Sequence, residues 1–331
     1  MPHRQNTDGA ATRKRVAIAG ATGLVGSAIL QELLRNPQYV VTILRRQGSN
    51  SHYFQSSQPN SGESTSAALS VVEVDFSSFD SLRSALQGHA VLVSALSKVA
   101  LSHQPRLIDA AVAANVSRII PSEYGADLRN PLVRQFPTYS AKVKVQEQLE
   151  RHRIESGTSY TLICSNVLLE WALMSPGALL LDPAKRVATI YDSGNTAFSV
   201  TTLATLAKAV IAVIDHYQKT ENRAVYICDI VTTSNEIWQM AREAAAAVLD
   251  DQGGLWQAVQ VSTTASRIAA QAAIDHGEEI GPKIFYGFAV SAAFGAGYGG
   301  HFETTDNDDL GVQRMTRDGL KRFVSACVTA R

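Results

Sequence analysis

From Arg15 onward, short β-branched runs alternate with stretches whose apolar residues recur at helical spacing: "RVAIAG", then "SAILQELLRN", then "YVVTILRR". Such alternation predicts parallel strands joined by helical crossovers, an α/β fold with a doubly wound parallel sheet of the Rossmann type. Asn36-Pro37 closes the first helix, because the residue before a proline is pushed out of the helical region. The pattern resumes with "LSVVEVDF", a helix from Asp80, the strand "AVLVSA", a helix over Pro105 to Ala114, the strand "SRIIPS", the helix of "TYSAKVKVQEQLE" and the strand "YTLICSN". Six strands therefore precede Asn166, the size of a full dinucleotide-binding sheet. Between Gln47 and Ala67 the run "QGSNSHYFQSSQPNSGESTSA" has few apolar residues and reads as a mobile surface insertion.

Beyond Asn166 the regularity weakens. Two helices are well signalled, one in "TTLATLAKAVIAVIDHY" with threonines at its cap, the other in "TTSNEIWQMAREAAAAVL", where Thr233 and Glu236 fit a capping box. "RAVYICDI" between them reads as a further strand, and the tail segment "FYGFAVSAAFGAGYGGHF" fits no regular element. The expected organisation is a flexible N-terminus at 1–14 and a nucleotide-binding domain at 15–165. Residues 195–250 pack back on that domain, and 166–194 with 251–331 form a smaller substrate-binding domain.

Composition narrows the function classes. The chain has 331 residues, 45% of them hydrophobic, and its 30 basic residues cancel its 30 acidic ones. With no Lys/Arg cluster interleaved with aromatics, nothing draws it to nucleic acid or an anionic membrane, and small molecules are the expected partners. Three scattered cysteines suit a reducing compartment. The first thirteen residues lack an apolar signal core, and the longest apolar runs are too short to span a bilayer, so a cytoplasmic protein is expected, as monomer or homodimer. The eight histidines show no ligand spacing, and no metal is expected.

The turn "GATGLVG", Gly20 to Gly26, follows the first strand and opens the first helix. A pyrophosphate needs close backbone approach, free N–H groups at a helix start and a helix packed hard on the sheet; Gly20, Gly23 and Gly26 stand where these needs arise. Thr22, Leu24 and Val25 complete the candidate cradle. The second strand ends in Arg45 and Arg46, where an NAD site would carry an acidic residue. Guanidinium groups match a 2′-phosphate in charge and geometry, and no carboxylate is expected nearby to repel it, so NADPH is favoured over NADH. Two solvated arginines at a strand end are the alternative. Ser94, Ala95 and Leu96 end the fourth strand along the expected cofactor path. Ser122 and Asn166 follow later strands and fit cofactor contacts, or else a cap and a turn.

In "TYSAKVKVQEQLE" the residue four after Tyr139 is Val143, so a tyrosine and lysine sharing one helical face do not occur here. On a wheel of about 100° per residue, Val145 and Leu149 define the inward stripe, with Lys142 about 40° from its centre and Lys144 about 120° away. Lys142 therefore faces the sheet and Lys144 faces water. An inward lysine next to a cleft is placed to exchange protons; a stem covering apolar surface with its head in solvent is the alternative. Tyr139 lies off the stripe, as packing, rim or substrate contact. Tyr124, Trp171 and Met174 are further substrate candidates, each equally a core residue.

In order and spacing, "GATGLVG", "ILRR", "IIPSEYGADL", "AKVKVQEQLE", "YTLICSNVLLEW" and "AFSVTTLATLAKAV" resemble the NmrA-like group of atypical short-chain reductases. The nearest branch looks like the isoflavone reductase and phenylcoumaran benzylic ether reductase branch, particularly its fungal members. The resemblance runs from Arg15 to Asn235. It implies NADPH-dependent hydride transfer to an aromatic enone, benzylic ether or quinone-methide-like substrate, with Lys142 as the catalytic general acid/base. The chain departs from plant members in its paired arginines, in Tyr124 for phenylalanine, and in a Ser-rich insertion where a second cofactor-contacting lysine is expected. Two other readings stand beside the reductase: a nucleotide-sensing regulator without turnover, and an isomerase or dehydratase that retains its cofactor.

Overall fold

The computed structural model describes residues 13–49, 67–174, 179–248 and 256–329. Lys14–Ala19 (β1), Tyr39–Arg46 (β2), Ala68–Val74 (β3), Val91–Ser94 (β4), Arg118–Ile120 (β5), Ser159–Cys164 (β6) and Arg223–Tyr226 (β11) build a seven-stranded parallel sheet in the order β11-β6-β5-β4-β1-β2-β3. The order reverses beside β1, as in a doubly wound sheet, and ligands gather at the carboxyl ends of strands at such a point. The chain forms two compact units, residues 13–122 with 152–159, and residues 123–151 with 160–329.

In the first unit, Leu24–Leu34 (α1), Phe79–Leu86 (α2) and Gln104–Ala113 (α3) link the strands. Val16, Ile18, Ile29, Leu33, Ile43, Leu82 and Leu92 are at most 2% exposed and fill the core between helices and sheet. Burial of this kind, about 25 cal/mol per Å² of apolar area, is what holds β1 central. Ser78 caps α2 by accepting from the Ser81 N–H, which fixes where the chain leaves β3. The expected insertion lies mostly outside the described residues, as does nearly all of the N-terminal stretch 1–14.

The second unit holds Pro131–Arg134 (α4), Ser140–Ser156 (α5, up to Arg151) and two small three-stranded sheets. Val167–Leu168 (β7), Phe198–Thr201 (β10) and Ile230–Thr232 (β12) form one sheet; Leu181–Asp182 (β8), Val187–Tyr191 (β9) and Gln257–Val261 (β13) form the other. Leu169–Met174 (α6), Leu203–Asp215 (α7), Tyr217–Thr220 (α8), Ser234–Val248 (α9), Thr263–Asp275 (α10), Pro282–Phe294 (α11) and Arg317–Thr329 (α12) complete it. The capping box is present: Thr233 Oγ1 accepts from the Glu236 N–H while Glu236 accepts from the Thr233 N–H, both at 3.2 Å. The unit boundary falls at Ser122 rather than after 165. Phe136 and Tyr139 share an apolar cluster with Ile284 and Phe288 of α11, which ties the α4–α5 region to the C-terminal helices.

One expectation is overturned. Most of the Gly-aromatic tail is regular, since Pro282–Phe294 is helix α11 and only the following glycines are irregular. Its residues from Gly287 to Phe294 are all buried, so the helix has no polar face to reveal a period. Gly287 permits the close crossing with α10, because a Cβ there would meet Ala270 Cβ at 2.6 Å and the Ser266 carbonyl at 2.7 Å. No helix of the described residues is long and apolar enough to cross a membrane.

Candidate functional site

The glycine turn is built as a phosphate cradle. Gly20 has φ +82°, and a Cβ on it would sit 2.3 Å from the Ala95 carbonyl oxygen. Its own carbonyl accepts the Gly23 N–H at 3.1 Å, which closes the turn. A Cβ on Gly26 would approach the Gly20 carbonyl to 2.0 Å, so helix α1 can lie against the turn only with glycine there. Gly23 is the N-cap of α1 with no side-chain cap. The first-turn amides of Leu24, Val25 and Gly26 thus have no intrahelical acceptor and present partial positive charge to an anion.

A cleft of about 460 Å³ begins at this turn and is lined by Gly20, Thr22, Gly23, Arg45, Arg46, Ala95 and Leu96, all in the first unit. These expected cofactor residues are therefore brought together. Gly26, Leu24 and Val25 shape the turn from α1 without lining the cleft, and Ser94 is fully buried behind it. Ser122 also stands behind: its hydroxyl bonds Ser94 Oγ and accepts the Leu96 N–H, both at 2.8 Å. Its own N–H donates to the buried Gln104 side chain at 2.8 Å. These bonds fix the β4 end that carries Ala95 and Leu96. Sequence reasoning missed Phe76 and His103, whose rings lie 5.9 Å apart on the cleft wall. The signal available was Phe76 directly after the β3 strand. The cradle, the uncapped helix start and the paired arginines fit a phosphorylated dinucleotide.

The arginines are not equivalent. β2 and β3 run in parallel with Arg45 opposite Glu73, and the Arg45 guanidinium pairs with the Glu73 carboxylate at 2.5 Å. The expectation that no carboxylate stands nearby is thus corrected: Glu73 lies 28 residues away in sequence and is brought alongside by strand pairing. Arg46 is exposed.

In the second unit, Lys142 is half-buried while Lys144 is exposed, and Val145 and Leu149 are 1% exposed. The helical phase is as read from sequence. Lys142 Nζ donates to the Glu123 carbonyl oxygen at 2.5 Å. Buried polar atoms without a partner among the described residues include Glu123 Oε1, Tyr124 Oη and Thr138 Oγ1. Such atoms cost free energy unless they serve a ligand or water. Burial pushes the Glu123 carboxyl above the usual carboxylate range, against the pull of Lys142 and a hydrogen bond from Gln146. Burial likewise raises the Tyr124 and Tyr139 phenols, with Glu123 adding to it. Neither phenol is poised to lose its proton.

Tyr139 is 8% exposed and meets Phe285 edge-on at 6.4 Å, a packing position. Trp171 stacks on Tyr286 at 5.8 Å, whereas Met174 is 57% exposed. Asn166 has the left-handed backbone of a turn residue. It is 7% exposed with φ +46°, and its amide donates to the Ser199 carbonyl at 3.0 Å and the Gly300 carbonyl at 2.8 Å. Those donors are spent on holding the glycine-rich tail to β10, a demand visible only once the tail is folded.

Residues 12–249 match the model of the NmrA-like family. The chain is 28% identical over 303 residues to the oxidoreductase aprR of Aspergillus flavus, covering 90% of this chain and 94% of that relative. It is 31% identical over 173 residues to the bifunctional pinoresinol-lariciresinol reductase 2 of Linum usitatissimum, covering 49% and 50% of the two chains. Its fold is similar to that of leucoanthocyanidin reductase from Vitis vinifera, solved as a binary complex with NADPH, with a TM-score of 0.69 at 19% identity over 96% of this chain and 100% of that one.

Proposed function

The chain belongs to the NmrA-like family, and from that premise we propose that it is an NADPH-dependent reductase of a small aromatic, phenolic or polyketide-like metabolite, with Lys142 as general acid/base. The observation that carries the reading is Lys142 itself, half-buried and tethered through one N–H to the carbonyl of Glu123, whose carboxyl Oε1 is buried without a partner among the described residues.

Bound NADPH supplies the hydride. The turn from Gly20 to Gly26 and the first amides of α1 would hold its pyrophosphate, and Arg46 would meet the 2′-phosphate. The Lys142 ammonium keeps two further N–H donors beyond the one spent on Glu123. One of them binds the substrate oxygen that becomes negative, neutralises it and transfers a proton to it. The Tyr124 hydroxyl, which burial keeps protonated, donates to a second substrate oxygen. The stacked Trp171 and Tyr286 offer an aromatic wall. Asn166 positions the tail through its side-chain N–H groups.

The test is equilibrium binding of NADPH and NADH, followed by NADPH oxidation across a panel of aromatic enones, benzylic ethers, quinones and hydroxylated polyketides. Tighter NADPH binding and oxidation with at least one member of the panel support the reading. Equal affinity for NADP⁺ and NADPH with no oxidation would point to a nucleotide sensor instead.

A further inference from the structure

Strand pairing sets Glu73 opposite Arg45, and the two side chains form an ion pair at 2.5 Å. Glu73 does not line the cleft; Arg45 and Arg46 do. The carboxylate thus meets Arg45 without itself lining the cleft. Arg45 is only 33% exposed and its Nε is buried without a partner among the described residues, so this guanidinium is held in one orientation with part of its donor fork unspent. Arg46, next in the strand, points to the other side of β2 and is exposed, with no ion pair among the described residues.

We infer that Glu73 is a specificity-determining residue for the cofactor: by pairing with Arg45 it cancels one of the two positive charges at the β2 end, leaving Arg46 to discriminate for the 2′-phosphate. The physical argument is one of net charge. A 2′-phosphate brings close to two negative charges. Two unopposed guanidinium groups would grip it in bidentate fashion. With Glu73 in place the local sum is a single positive charge, and the carboxylate itself repels the phosphate across a partly solvated distance. Arg45 then contributes its plane and its remaining N–H groups to the cleft wall, and a neutral ion pair does not discriminate between a ribose 2′-hydroxyl and a 2′-phosphate. The result is a site that selects NADPH moderately and releases NADP⁺ readily, which suits turnover better than the tightest grip would.

This inference rests on the NADPH reading, and the experiment separates the two. Binding of 2′,5′-ADP and of 5′-AMP is measured calorimetrically for the full chain, because the two ligands differ only in the 2′-phosphate and neither needs a substrate. Preference of the unaltered protein for 2′,5′-ADP tests the NADPH reading; without that preference both claims fall. The shift on Glu73→Gln tests the inference alone. Glutamine keeps an acceptor for the Arg45 guanidinium and removes the charge, so 2′,5′-ADP should bind about fivefold more tightly, as expected for one screened surface charge. 5′-AMP should be unchanged, and the 2′,5′-ADP affinity should fall more steeply with salt. Glu73→Ala, on a half-exposed edge strand, should behave alike, and Arg46→Met should lose most of the preference for 2′,5′-ADP. Unchanged or weaker 2′,5′-ADP binding by Glu73→Gln, in protein that melts like the unaltered chain, would overturn the inference.

Discussion

Three glycines occupy the turn, and the structure assigns each a different physical task, so single alanine substitutions should separate them. At Gly26 the added Cβ would lie 2.0 Å from the Gly20 carbonyl oxygen and 2.7 Å from its carbon. Both are backbone atoms with no flexible end to swing away, and ordinary contact requires more than an ångström of further separation. Overpacking of this kind costs about 1–3 kcal/mol. At Gly20 the Cβ would lie 2.3 Å from the Ala95 oxygen at φ +82°. The left-handed conformation adds about 1–2 kcal/mol to the overpacking, about 2–5 kcal/mol together. Gly23 differs: its φ is −76° and the nearest atom to its Cβ is the Gly20 oxygen at 3.5 Å. Gly23→Ala should cost at most about 1 kcal/mol of stability, from a poorer N-cap. It faces the cleft, however, and a methyl group there stands where a pyrophosphate must approach, so NADPH affinity should fall at least tenfold, about 1.4 kcal/mol or more. Urea unfolding with a constant slope gives the stabilities, and NADPH fluorescence titration gives the affinities. Gly23→Ala binding NADPH like the unaltered protein, or unfolding as early as Gly20→Ala, would refute the division of labour.

Other outcomes follow from single residues. The raised Glu123 carboxyl means the folded protein holds that proton more tightly than the unfolded chain. Its contribution to stability is complete below the ordinary carboxylate range and is lost as pH rises through the folded value. Glu123→Gln should therefore gain stability relative to the unaltered protein as pH rises from acid to neutral, seen in urea midpoints; an unchanged difference across pH would contradict the shift. Asn166→Ala removes the donor to the Ser199, Ala293 and Gly300 carbonyls and should cost about 2–4 kcal/mol, these carbonyls each losing a partner and a left-handed residue losing its tolerant side chain. NADPH affinity should be retained by the folded fraction. Lys144→Met, on the exposed face, should change stability by less than about 0.5 kcal/mol and leave turnover intact.

What was legible in the sequence is what local chemistry determines. β1, β2 and β6 were readable because a buried parallel strand is a short β-branched run, and the glycine turn because no side chain fits at Gly20 or Gly26. The Thr233–Glu236 box and the separation of Lys142 from Lys144 follow from helical spacing alone. Helix α11 was hidden because its run from Gly287 to Phe294 is buried throughout and carries no polar period. The Arg45–Glu73 pair and the duty of Asn166 depend on partners 28 and 134 residues away, supplied by strand register and by the folded tail. Ser122 was placed near the cofactor path by its position after β5, but only the folded network shows that it acts through Ser94 and Leu96.

The central claim is that hydride transfer needs Lys142 while cofactor binding does not. It is tested most directly with NADPH deuterated at the transferred position and a substrate found in the panel, comparing the unaltered protein with Lys142→Met. The expected result is unchanged NADPH affinity in both, deuterium in the product of the unaltered protein, and a loss of turnover of about 10²-fold or more in the variant. Equal deuterium transfer and equal turnover in Lys142→Met would contradict the account.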